Sequence, residues 1–497
     1  MIALSVGEVA QVLGVAVDRA DADREVLDVV IDSRAVRPGS LFVALRGERV
    51  DGHDFVSTAF AQGAAAAVTE RPLPDVSGGC LVVPDAVAAL GQVGRLVVDT
   101  AARAGLQVVA VTGSQGKTST KDLLAQVLEA SAPTVAPYGN FNNELGVPLT
   151  ACRVDRDTRF LVAEMGARGI GHIAYLCQIT PPDVGVVLNV GHAHVGEFGS
   201  QQAIAQAKGE LVEALQERGT AVLNADDPLV WAMRSRTSAP VLSFSVLTEP
   251  ATPRAVWADD IASDELGRCR FLLHEKASGS HSSAPVELRL TGRHHVSNAV
   301  AAAAAATALG LDLDEIAARL NGAELRSRSR MEIHERPDDV VVINDAYNAN
   351  PDSVRAAVDT LAQMGRARRA RRPASLTWAV LGDMLELGES AADEHANLGR
   401  HLAEAGIDRL LAVGEHAERF VTGAVEAGMS GNHAVVLDHK SEVAPNIVAN
   451  LQPGDTVLVK ASRGLALDTV AEEIWTAPPA VGRVRPPAER AESEDPA

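Results

Sequence analysis

Residues 106–120, LQVVAVTGSQGKTST, carry the signals that decide the fold. The almost entirely apolar run at 106–112 predicts a buried strand. Two glycines then mark a tight turn, and the residues from Lys117 onwards have a helical pattern. A strand, a glycine-rich turn and a helix in this order predict one βαβ unit of a parallel sheet.

The turn at residues 113–116 has the composition of a phosphate-binding loop. Gly113 and Gly116 would let backbone N–H groups approach phosphate oxygens, and the helix amino terminus would add positive potential. Lys117 would reach the β- and γ-phosphates, and the Thr118 hydroxyl would hold Mg²⁺. Only two residues separate the glycines, which points away from most kinases and GTPases. The alternative is an ordinary strand-to-helix turn, but Gly-Lys-Thr in this context favours binding of ATP or GTP.

Short apolar runs alternate with helical patterns on both sides of this stretch. We expect an α/β protein of three domains, with a central parallel sheet around the phosphate loop and helices on both faces. A small α/β domain would precede it and a Rossmann-like domain would follow it. Short alternating runs within 252–291 predict an antiparallel addition to the central sheet. The expected domains are 1–84, 85–326 and 327–476, and the proline-rich residues 477–497 are expected to be disordered.

Composition excludes several classes of partner. The chain has 497 residues, and 45 basic against 65 acidic residues give a formal net charge of −20. Nucleic acids and anionic membranes attract basic proteins, so neither is an expected main partner. The arginine-rich stretch 366–372 lacks aromatic residues and is interpreted as a solvated surface loop. Four widely spaced cysteines, no signal peptide and no spanning apolar segment predict a cytoplasmic protein.

Further polar residues follow the phosphate loop. Glu164 ends an apolar strand, so its carboxylate would emerge at the carboxyl edge of a parallel sheet, where ligands bind. His192 and His194 follow another buried strand, and we expect only one of them to be functional. Lys208 would by default be a solvated lysine on a helix.

Taken together, these motifs resemble the Mur ligases, which are ATP-dependent amide-forming enzymes of peptidoglycan synthesis. The resemblance rests on TGSQGKT at 112–118, NFNNELGVP at 140–148, EMGA at 164–167, NVGHAH at 189–194 and AKGE at 207–210. NDAYNANPDS at 344–353, LGDMLELG at 381–388 and His395 are similar to family members that add D-alanyl-D-alanine to UDP-N-acetylmuramoyl-tripeptide. IDSR at 31–34, LFVALRG at 41–47 and DGHDF at 51–55 resemble the UDP-binding domain of the tripeptide-handling members.

The resemblance implies ATP and Mg²⁺ as cofactors and assigns residues to them. The implied ATP-binding residues are Thr112, Gly113, Ser114, Gln115, Gly116, Lys117, Thr118, Ser119, Asn298 and Tyr347. The implied metal ligands are Thr118, Glu164, His194 and a carbamylated Lys208, with His192 the less favoured histidine. Lys117, Lys208, His194, Asp345 and Arg330 would be catalytic. His295 stands where the family usually has asparagine, which leaves the adenine contact open.

The resemblance also implies two further substrate sites, and we expect a monomer. UDP-N-acetylmuramoyl-tripeptide would bind the first domain through Ser33, Arg34, Asp51, Gly52 and His53. D-Alanyl-D-alanine would bind the third domain through Asn348, Asn350 and Asp383. Whether the third residue of the tripeptide is diaminopimelate or lysine stays open.

Other interpretations were weighed against this one. DAYNANP at 345–351 could be a simple helix-start loop capped by Asp352 or Ser353, and LGDM at 381–384 an ordinary strand-end turn. Another amino-acid-adding Mur ligase or a folylpolyglutamate synthase is disfavoured by the third-domain motifs. A P-loop kinase is disfavoured by the short loop, and a non-catalytic nucleotide-binding scaffold by the complete set of polar residues.

Overall fold

The computed structural model describes residues 1–47, 49–76, 79–191, 198–277 and 279–479. It is an α/β protein with parallel-strand sheets flanked by helices, which confirms the predicted fold class. None of the helices in these ranges is long and apolar enough to cross a membrane. Of the expected disordered segment, residues 480–497 lie outside the described part of the chain.

The amino-terminal unit is a small parallel sheet with helices packed on it. Its strands are β1 (Leu4–Ser5), β2 (Glu25–Val26), β3 (Asp28–Val30), β4 (Ser40–Val43), β5 (Ala66–Thr69) and β6 (Cys80–Val82), and its helices are α1 (Val6–Leu13), α2 (Arg19–Ala22), α3 (Val56–Ala61) and α4 (Ala86–Ala102). Strands β3 to β6 pair in sequence order, all parallel, and β1 pairs with β2 in a separate antiparallel ribbon.

The central unit contains the phosphate loop. Its strands are β7 (Gln107–Thr112), β8 (Thr134–Val135), β9 (Phe160–Glu164), β10 (Val184–Val187), β11 (Thr220–Asn224), β12 (Val241–Ser245), β13 (Ala255–Ser263), β14 (Arg268–Ala277) and β15 (Ser280–Thr291). Its helices are α5 (Lys117–Glu129), α6 (Gly146–Ala151), α7 (His172–Ile179), α8 (Gln201–Glu213), α9 (Pro228–Ala232), α10 (His294–Ala308) and α11 (Leu313–Gly322).

The order in the central sheet is β15-β14-β13-β12-β11-β10-β7-β9-β8. In this order, the neighbouring strands from β13 through to β8 are all parallel. At the other edge, β14 pairs with β13 and β15 pairs with β14, both antiparallel, as the sequence predicts. Helices cover both faces of the central sheet. Successive residues of a strand point to opposite faces, and two successive residues of β10 lie in different helix-packed cores. Val186 packs in a core with α5, α10 and α11, and Val187 packs in a core with α7 and α8.

The carboxy-terminal unit is a second helix-covered sheet. Its strands are β16 (Glu332–Glu335), β17 (Val341–Asn344), β18 (Thr377–Gly382), β19 (Arg409–Val413), β20 (Ala434–Leu437) and β21 (Thr456–Lys460), and its helices are α12 (Pro351–Arg371), α13 (Ala391–Glu404), α14 (Ala417–Glu426), α15 (Val443–Asn450) and α16 (Asp468–Thr476). The strand order is β16-β17-β21-β18-β19-β20, parallel except for β16.

Helix α4 belongs to the cores of two units. Its residues Val93 and Val97 share a core with Leu41 of the first sheet and with Val108 of the central sheet. The helix begins where Asp85 accepts hydrogen bonds from the first-turn amides. The domain boundary expected at residue 84 therefore stays a prediction, close to the start of a shared helix.

The arginine-rich stretch is not a loop, and the prediction for it was wrong. It forms the last turns of α12, where Arg368 is buried and donates to the carbonyls of Asp339 and Gly454. Arg369 pairs with Asp408 at 2.7 Å. Basic residues at a helix carboxyl end also interact favourably with its dipole, so the stretch stabilises the third unit.

Candidate functional site

A cleft of about 1230 Å³ lies where the units meet. Its walls come from the phosphate loop, from the residues that follow strands β9, β10 and β17, and from the end of β21. These are carboxyl ends of parallel strands, the edge at which α/β sheets bind ligands. Most of the predicted site residues face this cleft: Ser114, Gln115, Gly116, Lys117, Thr118, Ser119, Glu164, Lys208, Asn298, Arg330, Asp345, Tyr347, Asn348 and Asn350.

The phosphate loop is held open by Asn189, which follows strand β10. The Asn189 side chain accepts from the amide of Gln115 at 2.9 Å and donates to its carbonyl at 3.2 Å. Gly116 has φ +78°, and a Cβ there would lie 2.3 Å from the Asn298 side-chain oxygen. Only glycine fits this position, which leaves the amino end of α5 open to an anion. Thr112 lies behind the loop and donates to the Met165 carbonyl.

Glu164 has the properties of a magnesium ligand. It is 1% exposed, and its Oε1 accepts from the Thr118 hydroxyl at 3.2 Å and from Asn142 at 2.9 Å. Its Oε2 is buried and finds no hydrogen-bond partner within the described ranges. A carboxylate oxygen left without a partner beside a hydroxyl, at the start of a phosphate-binding helix, fits the oxygen ligands that Mg²⁺ prefers.

Two lysines line the same cleft. Lys117 donates to the Gly113 carbonyl at 2.7 Å, and burial lowers the pKa of its ammonium. Lys208, on α8, is 4% exposed, so the default expectation of a solvated lysine was wrong. Burial and the positive charge of Lys117 hold the Lys208 pKa well below its usual range. Burial of this kind favours the neutral, nucleophilic form of an amine.

Arg330 is presented by a strained segment of backbone. Both neighbours, Ser329 and Met331, have positive φ, at 58° and 52°. The Met331 amide donates to Asp345, and the Tyr347 amide donates to the Ser329 carbonyl. The Arg330 guanidinium carbon lies 4.1 Å from the centre of the Tyr347 ring. Backbone strain of about 1–3 kcal/mol per residue persists only where surrounding contacts hold it, so Arg330 is pre-organised.

Asp345 faces a lysine that sequence reasoning missed. Lys460, the last residue of β21, is 2% exposed and contacts the Asp345 carboxylate at 2.6 Å and the Asn348 carbonyl at 2.9 Å. Arg463, three residues later, also lines the cleft. The signal was available, because Lys460 ends an apolar strand just as Glu164 does.

Of the three predicted dipeptide residues, two face the cleft and one does not. Asn350 caps α12, accepting from the Ser353 amide at 2.9 Å. The helix-start interpretation is therefore confirmed, but its caps, Asp352 or Ser353, were wrong, because both residues lie inside the first turn. Asp383 does not line the cleft, because its two carboxylate oxygens accept from the amides of Glu415 and His416. It therefore shapes the strand-end turn that follows β18.

The predicted residues of the amino-terminal unit do not line the cleft. Arg34 pairs with Asp32 on the surface, beside Ser33. Asp51 accepts from the His53 ring at 2.6 Å, and the other ring nitrogen of buried His53 accepts from the Glu70 amide at 2.8 Å. A Cβ on Gly52 would lie 2.6 Å from the Leu45 carbonyl oxygen. This geometry gives Asp51, Gly52 and His53 a structural role in the loop.

His295 and its neighbour His294 lie next to Asn298. His295 Nδ1 lies 3.4 Å from the Asn298 side-chain nitrogen, and the His294 and His295 rings pack at 4.2 Å. Burial lowers the pKa of His294 to about 4 and that of His295 well below its usual range, so both rings are neutral. His192 and His194 lie outside the described residues. No group of three or more potential metal ligands of the His, Cys, Asp or Glu type is found among the residues that the structure does describe.

Three family models match the chain in succession. The model described as "Mur ligase family, catalytic domain" matches residues 26–106, "Mur ligase middle domain" matches 111–306, and "Mur ligase, glutamate ligase domain" matches 329–463.

Two curated relatives, both called UDP-N-acetylmuramoyl-tripeptide–D-alanyl-D-alanine ligase, match almost end to end. The protein of Mycobacterium tuberculosis (strain ATCC 25618 / H37Rv) is 42% identical over 522 aligned residues, covering 98% of this chain and 100% of the relative. The protein of Escherichia coli (strain K12) is 34% identical, covering 95% and 99%.

Solved structures show the same arrangement. MurF from Acinetobacter baumannii superposes with a TM-score of 0.83 at 32% identity, covering 96% of this chain and 99% of the other. MurF from Thermotoga maritima in complex with ADP gives 0.76 at 30% identity, covering 90% and 96%.

Proposed function

The chain belongs to the Mur ligase family, and on this premise we propose that it joins D-alanyl-D-alanine to UDP-N-acetylmuramoyl-tripeptide, with ATP converted to ADP and phosphate. Relatives of that name match along nearly the full length of both chains. One structural observation carries the proposal: phosphate-loop groups from the central unit and Arg330, Asp345 and Lys460 from the third unit line one cleft. A ligase that joins two substrates needs this convergence.

The phosphate loop is the proposed binding site for ATP. The backbone amides after Gly113 and the Lys117 ammonium would contact the β- and γ-phosphates, and Asn298 would lie towards the base. Thr118 and Glu164 would hold Mg²⁺, which, when bound, neutralises charge on the phosphate oxygens. Arg330 would add positive charge where negative charge develops.

Lys208 is the proposed site of carbamylation. Its neutral amine nitrogen would attack the carbon of CO₂ and lose one proton, which gives a carbamate anion. The buried setting supports this proposal, since only an unprotonated amine can react. The anion would lie near Lys117 and could serve the metal together with Glu164, and His194 stays a proposed ligand on motif similarity alone.

The proposed reaction proceeds in two displacements. A tripeptide carboxylate oxygen attacks the γ-phosphorus, the bond from that phosphorus to the ADP oxygen breaks, and an acyl phosphate forms. The dipeptide amine then attacks the acyl carbon and loses a proton, the carbon–oxygen bond breaks, and phosphate leaves. Positioning and electrostatics suffice for both steps, so no serine or cysteine nucleophile is required.

The remaining assignments concern binding and location. The first unit is the proposed UDP-binding domain, with Ser33 and Arg34 the surface candidates there. A monomeric enzyme stays a proposal. All four cysteines are free, and unpaired thiols are typical of a reducing compartment, so we place the enzyme in the cytoplasm.

The direct assay measures phosphate release from ATP with UDP-N-acetylmuramoyl-tripeptide, with and without D-alanyl-D-alanine. We expect release to depend on both substrates and a product heavier by one dipeptide less one water. Release without dipeptide dependence, or no coupled product, would contradict the proposal. Single D- and L-amino acids serve as competing acceptors that separate this enzyme from other Mur ligases.

A further inference from the structure

A side pocket of about 130 Å³ opens beside the main cleft and is formed entirely by the third unit. Its walls are residues 348–350, 385–387 and 462–464, which follow strands β17, β18 and β21. These three strands are neighbours in the sheet. Asn348, Asn350, Glu386 and Arg463 line both the side pocket and the main cleft, so the two spaces adjoin.

The walls of the side pocket are held by hydrogen bonds between its loops. The Leu385 amide donates to the Ser462 hydroxyl at 2.9 Å, and the Ser462 amide donates to the Asp383 carbonyl at 3.0 Å. The Met384 amide donates to buried His395 at 3.0 Å. A loop fixed at three successive residues provides a pre-formed binding surface.

Arg463 supplies positive charge to this pocket. Its Nη1 contacts the Asp468 carboxylate at 2.9 Å, which fixes the guanidinium at one edge and leaves the side chain 62% exposed. The guanidinium presents its donors in a planar fork that matches a carboxylate. Ala349 and Leu385 add apolar side chains to the lining of the pocket.

Tyr347 relates this arginine to the ATP side of the cleft. The guanidinium carbons of Arg330 and Arg463 lie 4.1 and 5.9 Å from the centre of its ring, so they are at most about 10 Å apart. An extended dipeptide spans about 7 Å. A dipeptide whose carboxylate contacts Arg463 can therefore direct its amine towards the side of the cleft where Arg330 lies.

Resting on the proposed function, we propose that Arg463 binds the carboxylate of the incoming dipeptide and so orients its amine towards the acyl phosphate. The side pocket between the loops that follow β17, β18 and β21 holds the two alanyl side chains. Asp468 is a positioning residue for Arg463. The sequence predicted that Asp383 contacts the dipeptide. In the structure its carbonyl accepts from the Ser462 amide and so supports the wall of the side pocket.

The test removes the charge from each partner in turn. Wild-type enzyme, Arg463→Met and the control Arg400→Met, an arginine that lines neither cavity and pairs with Glu426, are each assayed with D-alanyl-D-alanine and with its carboxamide. Wild-type enzyme and the control should lose roughly 10- to 100-fold in kcat/KM on the carboxamide, the value of a charge-assisted contact. With the dipeptide, Arg463→Met should have a kcat/KM that is lower than that of the wild-type enzyme by the same factor. Replacing the dipeptide by its carboxamide should cause no further loss in this variant. Its KM for ATP and for UDP-tripeptide should be unchanged.

Two outcomes would overturn this inference. One is full discrimination against the carboxamide by Arg463→Met, and the other is a raised KM of this variant for the UDP-tripeptide. Both leave dipeptide-dependent turnover of the wild-type enzyme intact, and with it the proposed function. Failure of the proposed function is a different result, because the wild-type enzyme would then show no dipeptide-dependent phosphate release.

Discussion

At the residue scale, Glu164 gives the clearest evidence for a cation site, because its Oε2 is buried without a hydrogen-bond partner among the described residues. A buried carboxylate oxygen without a partner is costly, and a cation is the natural partner. We expect Glu164→Gln to lower kcat by about 100-fold or more and to shift the Mg²⁺ dependence to higher concentration. Titration of activity with Mg²⁺ checks this, with Glu213→Gln, which changes a half-exposed carboxylate paired with Arg236, as the control. An unchanged Mg²⁺ titration of Glu164→Gln would remove the residue from the metal site.

Lys208 is the second test at this scale. We expect Lys208→Ala to lower kcat by about 100-fold or more, because the proposed carbamate would be lost, and acetate to restore part of the activity. Lys276→Ala, which removes an exposed lysine paired with Glu249, should behave as wild type. Mass spectrometry of the intact protein under CO₂ gives an independent readout. Full activity of Lys208→Ala, or no response to acetate, would exclude the carbamate.

We expect His395 to make the free energy of unfolding depend on pH. Its Nε2 accepts from the Met384 amide and its Nδ1 faces the Ala391 carbonyl at 2.6 Å, so the neutral ring fits both contacts. Burial lowers its pKa below the ordinary 6.5. The unfolded chain therefore binds a proton first, and stability that is fully present above pH 6.5 falls as pH drops below it.

We expect His395→Gln, which keeps an acceptor and a donor but does not titrate, to flatten this dependence. The slope between pH 6.5 and 5 should decrease by up to about 1.4 kcal/mol per pH unit, one proton's contribution. Urea unfolding at several pH values measures it. His294, His295, His334 and His433 also have lowered pKa values and keep the remaining slope. An identical slope in the variant would show that His395 does not titrate on unfolding.

At the scale of elements, helix α5 does more than bind phosphate. Asp122, Gln126 and Glu129 lie on one stripe of the helix and hold the segment 324–327 that leads into the third unit. Asp122 accepts from the amides of Arg326 and Ser327 and pairs at 2.5 Å with Lys121, which is also buried. The element that begins at the phosphate loop thus anchors the connection to the third unit.

We expect Asp122→Asn to destabilise the protein by about 3–5 kcal/mol, because it leaves the Lys121 charge buried without its partner. The double variant Lys121→Met/Asp122→Asn should recover most of this loss, since no uncompensated charge remains. Denaturant unfolding of the three proteins checks both statements. If the double variant is as unstable as the single one, the contacts of Asp122 with the segment 324–327, rather than its ion pair with Lys121, account for the loss of stability.

Strands were predictable at this scale, and the ends of some helices were not. Residues 160–163 and 457–459 are continuous apolar runs, and they lie in strands where the pattern places them. The arginine run of α12 was predicted to be a loop, because a run of like charges is typical of a solvated surface segment. Asp339 and Asp408, which pair with Arg368 and Arg369, are 29 and 39 residues away in sequence, so the local pattern cannot reveal them.

At the scale of the whole molecule, the charge of −20 contrasts with a cleft that gathers Lys117, Arg330, Lys460 and Arg463. The sequence motifs identify most of the cleft residues of the central unit, because they follow one strand-end rule. The partnership of Lys460 with Asp345 spans 115 residues and depends on β21 inserting between β17 and β18. Such insertion is a property of topology, so the sequence shows Lys460 at a strand end but does not show its pairing with Asp345.

The most direct test of the central claim, two displacements through an acyl phosphate, follows one oxygen atom. UDP-N-acetylmuramoyl-tripeptide labelled with ¹⁸O in the reacting carboxylate is incubated with ATP, Mg²⁺ and D-alanyl-D-alanine, and the released phosphate is examined by mass spectrometry. The carboxylate oxygen that attacks phosphorus should leave with it, so each phosphate should carry one labelled oxygen. Unlabelled phosphate, released in step with product, would contradict the mechanism.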